Sequence, residues 1–236
     1  MSAQQSCQEG VQQYCQEVER QYHLRKQDSS SMSIHEDQSP LISLKDTGFR
    51  LMFEPSMMAG YEYMVRESVC EKIGRISQQL EKQGKVLIIR SVWRSFEHQR
   101  LLWDKKAAVM RTDYQLRNED EVRKLVSRFI APPKESMHAT GGAVDALIYD
   151  TKADRVLDFG NNKGLKLELN ETCYPLHPGI SAEARQNRQL LIHLFEEEGF
   201  VVDCMEYWHF DYGNVCWAAG NGAKFARFGV IEELTV

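Results

Sequence analysis

The sequence predicts an α+β fold: a small, mainly antiparallel sheet flanked by helices and preceded by a helical N-terminal extension. Three observations lead there. Apolar residues Met64, Val65, Val69, Ile73, Ile76 and Leu80 recur at helical spacing, and the β-branched run 85–94 follows them at once. Segments 143–149 and 155–159 flank the turn sequence Asp150-Thr151-Lys152-Ala153-Asp154, the pattern of a hairpin. Two further short apolar runs, 200–204 and 207–212, come after one more helical segment. Strands joined by short turns pair antiparallel, whereas parallel pairing needs long crossovers.

Composition narrows the possibilities. At 236 residues and 42% hydrophobic the chain can bury one substantial core. We divide it into a polar helical extension and linker over residues 1–40 and one folded domain over 41–236. The net charge of -5 and pI near 5.8, with basic residues scattered among acids, give no electrostatic footprint for nucleic acid or an anionic membrane. No segment approaches the run of about 18 apolar residues that spanning a bilayer needs. The first twenty residues lack a basic stretch followed by an apolar one, so the expected location is cytoplasmic. The six cysteines form no Cys-x-x-Cys pair and read as reduced thiols.

The elements follow in order. Val11, Cys15, Val18 and Tyr22 lie four, three and four apart, placing a narrow apolar stripe on a helix over residues 1–27. Such a stripe suits docking on a partner or a second copy of the chain. It equally suits packing on its own domain, which so short a seam favours. Residues 28–40 are polar and turn-forming, a linker. The apolar run 51–53 stops at Glu54-Pro55 and reads as a strand or extended entry segment. The helix over 63–83 ends at Gly84, which suits a left-handed cap. The strand 85–94 delivers Arg94 at its far end. Ser95 caps the next helix, carried on by Gln99, Leu102, Trp103 and Ala107. A helix over 119–129 stops before Pro132-Pro133, a stiff bend just upstream of Ser136 and His138. The irregular stretch 160–179 is long for a compact domain, and long loops more often carry function than not. Ser181 caps a helix with Leu190, Leu191, Leu194 and Phe195 inside, ended at Gly199.

Chemistry concentrates in two stretches. The first is Ser136-Met137-His138-Ala139-Thr140-Gly141-Gly142-Ala143-Val144-Asp145. A carboxylate within an apolar strand must be paired or metal-bound if buried, and the double glycine lets the chain turn tightly enough for His138 and Asp145 to meet. The second is Glu206-Tyr207-Trp208-His209. Two imidazoles and two carboxylates are the inventory of a catalytic zinc site, in which three protein ligands leave a position open for water and a fourth group takes the proton. The expected ligands are His138, Asp145 and His209, holding one zinc ion, with Glu206 as general base. A regular strand would put Glu206 and His209 on opposite faces. They converge only if Glu206 lies on the approach loop or a local turn. Tyr207, Trp208 and Phe210 are most simply core or wall residues.

The ordered pattern Ser-x-His-x-x-x-Gly-x-Ala-x-Asp, then Glu-x-Trp-His far downstream, resembles the zinc D-alanyl-D-alanine dipeptidases of the VanX type and, more broadly, zinc D,D-peptidases. The likeness runs from about Phe49 to Trp217. It implies a zinc site at His138, Asp145 and His209, with Glu206 as the base that takes a proton from water and returns it to the leaving amine. It also implies that Arg94 steadies the developing oxyanion and that Ser136 helps bind the substrate's amino end. The unaided alternative for Arg94 is a structural or carboxylate-binding arginine. The chain departs from the pattern in two places. Trp93-Arg94-Ser95 stands where Tyr-Arg-Pro is usual, and the loop 158–168 has no acid at the spacing expected for recognising a free amine, Asp158 and Glu168 being the acids at hand. The implied function is hydrolysis of D-Ala-D-Ala or a similar short peptide containing D-amino acids. The alternatives are a D,D-carboxypeptidase or endopeptidase on larger cell-wall peptides, and a non-catalytic binding domain stabilised by zinc. A site closed by the 160–179 loop would favour dipeptides, and an open groove longer chains.

Overall fold

A computed structural model describes residues 3–160 and 171–232. In chain order the elements are α1 (Ala3–Ser30), β1 (Leu41–Ser43), β2 (Leu51–Phe53), β3 (Met64–Arg66), α2 (Glu67–Glu81), β4 (Lys85–Ser91), α3 (Phe96–Asp113), α4 (Glu119–Val126), β5 (Ala143–Asp150), β6 (Arg155–Val156), α5 (Ala182–Glu197), β7 (Val201–Val202), β8 (His209–Asp211) and α6 (Val215–Asn221). A 3₁₀ turn, Met137–Thr140, precedes β5. The main sheet runs β2-β4-β5-β8-β7, with β6 pairing β5, and β1 pairs β3 apart from it. Only β2 and β4 are parallel among the described strands, so the sheet is mainly antiparallel as expected.

The core explains the order. Val69, Ile73, Ile76 and Leu80 of α2 are fully buried against Leu87 and Ile89 of β4, Val144, Ala146 and Ile148 of β5, and Leu191, Leu194 and Phe195 of α5. Phe195 stacks on Phe210 of β8 with ring centroids 3.9 Å apart. Side chains alternate across a strand. With Val144, Ala146 and Phe210 committed to the helix-covered face, Asp145, His209 and Asp211 point to the opposite face.

Three readings are corrected. Residues 64–66 form β3 and not the start of a helix, because Arg66 is anchored remotely: its buried guanidinium donates to the carbonyls of Thr140, Ser39 and Gly229. The strands read at 200–204 and 207–212 shrink to Val201–Val202 and His209–Asp211, because the Asp203 carboxylate accepts from the backbone N–H of Met205 and of Glu206 and bends the chain between them. The strand read over 85–94 ends at Ser91 after a register shift beyond Ile89. Helix α6 was not anticipated; Asn214 caps it, accepting from the N–H of Trp217 at 3.0 Å.

Helix α1 packs on the rest of the chain. Cys15 and Val18 are buried with Tyr174 and Cys204, and Arg25 donates to the carbonyl of Val202 at 2.9 Å. Residues 31–40 run extended beside the C-terminal segment, with the N–H of His35 donating to Ala226. Cys15, Cys70, Cys173, Cys204 and Cys216 are free thiols. No described helix is long and apolar enough to cross a membrane.

Candidate metal centre

The backbone brings the two motifs together. Asp145 of β5 and His209 of β8 are register partners across an antiparallel pair, and Ser91 of β4 is the partner of Asp145 on its other side. His138 reaches the same place from the 3₁₀ turn, which closes at Gly141 in the left-handed region (φ 72°). A Cβ on Gly142 would lie 2.2 Å from the carbonyl oxygen of Tyr212, so only glycine lets the turn pass that close to β8. Ligand atoms of His138, Asp145 and His209 all lie within 4.8 Å of one another.

Each histidine has one nitrogen committed outward. The Nδ1 of His138 lies 2.8 Å from the Val92 carbonyl, which can only accept, so Nδ1 carries the proton and Nε2 presents a lone pair inward, 3.3 Å from Asp145 Oδ2. His209 puts Nδ1 2.9 Å from Asp145 Oδ1 and Nε2 3.3 Å from Asp211 Oδ1. Asp211 is itself held by the side-chain amide of Asn214 at 2.6 Å. An imidazole whose outer nitrogen donates to a carbonyl or carboxylate is the usual support of a metal-ligating histidine.

The charges agree with that division. Burial, and then the Arg94 charge, push His138 down to about 4, so it is neutral. Burial opposes charge on His209, but the carboxylates of Asp211 and Asp145 outweigh it and hold the imidazole well above its ordinary value. Burial likewise opposes ionisation of Asp145, yet its carboxyl is held well below its ordinary value, with the protonated His209 donating to it. Without metal, then, a proton on His209 occupies the place beside Asp145, and a cation binding there displaces it. Two imidazole nitrogens and one carboxylate oxygen are a donor set that fits zinc, with a coordination position left over.

Glu206 sits outside β8, in the turn that Asp203 fixes, and its carbonyl accepts from the N–H of His209 at 3.1 Å. That satisfies the geometric condition set by the sequence. Burial, and then the negative charge of Asp145, raise its carboxyl to about 8 in the metal-free protein. A divalent cation alongside would pull it back down.

Arg94 donates from Nε to Ser91 Oγ at 2.7 Å, from Nη1 to Gln99 Oε1 at 3.0 Å and from Nη2 to Asp145 Oδ2 at 2.9 Å. In this state it is a carboxylate-binding arginine. Ser136 is buried directly before the 3₁₀ turn, and its carbonyl accepts from the N–H of Ala139. The Asp158 carboxylate accepts from the N–H of Gly160 at 2.7 Å, and Glu168 falls outside the described residues.

The sequence reading gave no role to several supports: Ser91 and Gln99, which orient Arg94; Asp203, which bends the turn; and Asp211, behind His209. Only Asp211 carried a legible signal, since a strand period of two puts it on the face of His209. His98 is a further buried neighbour, 4.9 Å in ring separation from Tyr61, and burial followed by the charge of Arg94 takes it to about 4.

Known proteins resemble this chain. A D-alanyl-D-alanine dipeptidase of Escherichia coli (strain K12) is 33% identical over 76 residues, covering 32% of this chain and 37% of that protein. One from Enterococcus faecium is 26% identical over 93 residues, covering 39% and 44%. The chain thus spans less than half the length of either relative in these matches. Among solved structures, an LdcB LD-carboxypeptidase superposes with a TM-score of 0.45 at 17% identity, covering 82% of this chain and 81% of that one. The vancomycin resistance D,D-pentapeptidase VanY, in complex with Zn(II), gives 0.44 at 15% identity, covering 80% and 92%. The family Peptidase_M15, described as D-ala-D-ala dipeptidase, matches residues 57–225, a span that takes in Arg94, Ser136, His138, Asp145, Glu206 and His209, and the chain belongs to that family.

Proposed function

We propose that the chain is a zinc-dependent peptidase that hydrolyses D-Ala-D-Ala or a similar short peptide containing D-amino acids. The observation that carries this reading is the convergence of His138, Asp145 and His209 within 4.8 Å, beside the turn that bears Glu206. Bound there, zinc supplies a water made acidic near neutral pH and a polarised peptide carbonyl. The protein's own groups do the rest. Glu206 takes the water's proton and returns it to the leaving amine, the work of a general acid and base. Arg94 uses three of the five N–H donors of a guanidinium on described groups, which leaves two for the carbonyl oxygen as charge builds on it. Ser91 and Gln99 hold that guanidinium in place, and Asp211 fixes the ring of His209. Ser136, buried beside His138, is assigned to the substrate's amino end.

A zinc-stabilised binding domain without catalysis is disfavoured by Glu206, since a purely structural site has no use for a raised carboxyl beside an open coordination position. Replacing Glu206 with Gln is the test. Zinc content should stay at one ion per chain while D-Ala-D-Ala hydrolysis falls by about 10²–10⁴-fold, the scale of a lost acid-base group. Undiminished hydrolysis, or no hydrolysis by the parent across a panel of D,D-dipeptides, overturns the reading. A parent that prefers pentapeptides to dipeptides would instead place it among carboxypeptidases of larger cell-wall peptides.

A further inference from the structure

Helix α1 lies outside the matched span 57–225, yet it touches both arms of the metal centre. Lys26 Nζ lies 3.6 Å from the carboxylate of Glu135, the residue directly before Ser136. Four residues earlier, and so on the same side of the helix, Tyr22 packs against the buried cluster of Cys15, Val18, Tyr174 and Cys204, against which Met205, the residue directly before Glu206, also packs. The helix is fastened along its length: Tyr14 OH accepts from the N–H of Leu176 at 3.1 Å, Tyr174 OH donates to Glu19 at 3.3 Å, and Arg25 donates to Val202. The buried Cys15 and Val18 make this seam a packed one. The Tyr22 phenol is pushed up to about 12, chiefly by burial and then by the negative charge of Asp203.

We infer that α1 is the end wall of the substrate cleft, closing the gap between Glu135 and Met205, and that Tyr22 is a specificity-determining residue that restricts the substrate to a short peptide. The inference rests on the proposed peptidase function and adds to it a physical source of length selection. A peptide leaving the metal between the 136–138 arm and the 206–209 arm meets Tyr22 and the Lys26–Glu135 pair. Its backbone has nowhere to continue. The family's matched span does not contain this wall, so the chain supplies it from its own extension.

The test compares the full-length parent with Tyr22→Ala, which opens the wall, and Lys26→Glu, which sets two carboxylates against each other and pushes the helix off Glu135. For each, kcat/KM is measured on D-Ala-D-Ala and on a pentapeptide ending in D-Ala-D-Ala, after matched thermal melts have verified the fold. The ratio of pentapeptide to dipeptide should rise by about tenfold or more, the low end of what a reshaped apolar pocket achieves. Lys26→Glu gives an answer even where Tyr22→Ala fails to fold. Ratios within about twofold of the parent in folded variants overturn the inference while leaving the peptidase function standing. A second reading works even if the parent hydrolyses neither peptide, which would defeat the peptidase function alone. A bulky chelator should strip zinc from Tyr22→Ala about tenfold faster than from the parent, and equal rates overturn the wall.

Discussion

The proposed metal ligands and the proposed rim around them are held in place by different means. Asp145 and His209 face each other because β5 and β8 are paired through their backbones, and His138 is tied to the carbonyl of Val92. Tyr22, Lys26 and Glu135 are brought together only by side-chain packing between a remote helix and the body of the domain, with an exposed ion pair at the edge. An exposed pair of this kind contributes about 0–1 kcal/mol. The contrast separates two tasks. Chemistry needs donor atoms fixed to fractions of an ångström, and backbone pairing provides that. Length selection, as proposed for α1, needs only a barrier, and a docked helix can change without disturbing the chemistry.

The largest effect that could break this contrast is at His209. In His209→Ala zinc affinity should fall by more than the roughly 100-fold that bounds loss of an outer partner, because a ligand itself is gone. Far-UV circular dichroism of the metal-free protein should be kept, since the pairing of β5 with β8 runs through backbone groups. Zinc titration monitored by competition with a chromophoric chelator measures the first, and loss of the fold would show that the imidazole, and not the sheet, holds the site together.

A smaller effect sharpens it. Asp211→Asn keeps an oxygen for the Nε2 proton of His209 and removes the charge. Zinc affinity should fall by about tenfold, toward the low end for an outer-shell change. An effect as large as that of His209→Ala would make Asp211 a ligand, and none at all would remove it from the site.

What the sequence made legible follows the same line. Both motifs could be read because a catalytic zinc site demands particular residue types close together along the chain, and the double glycine announced the tight turn that Gly141 and Gly142 make. The requirement that Glu206 leave the strand was also readable, from side-chain period alone. The helices α2 and α5 and the strand β4 were legible from apolar spacing. Strands β1 and β3 were not, because three-residue strands have too few residues to show a period, and Arg66, which anchors β3, reaches carbonyls scattered from Ser39 to Gly229. The place of α1 was hidden for the same reason. Its stripe of Val11, Cys15, Val18 and Tyr22 states that it packs, but the surfaces that receive it, around Tyr174 and Cys204, lie far along the sequence.

The last predicted effect concerns stability and not activity. In the metal-free protein Glu206 is raised to about 8 from its ordinary value of 4.5, chiefly by burial. The native state then binds more protons than the unfolded chain between those two values, so stability falls as pH rises through that window, by at most about 1.4 kcal/mol per pH unit. His209, held above its ordinary value, loses its own contribution as pH rises, and it does so in parent and variant alike. Glu206→Gln has no proton to lose at this position, so its metal-free stability, measured by urea unfolding from pH 5 to 8, should decline less steeply than the parent's. Added zinc should shrink the difference, because a cation beside the carboxylate favours its charged form. Identical slopes in the two metal-free proteins would mean that Glu206 is solvated, and its turn would then belong with the adjustable rim and not with the fixed centre.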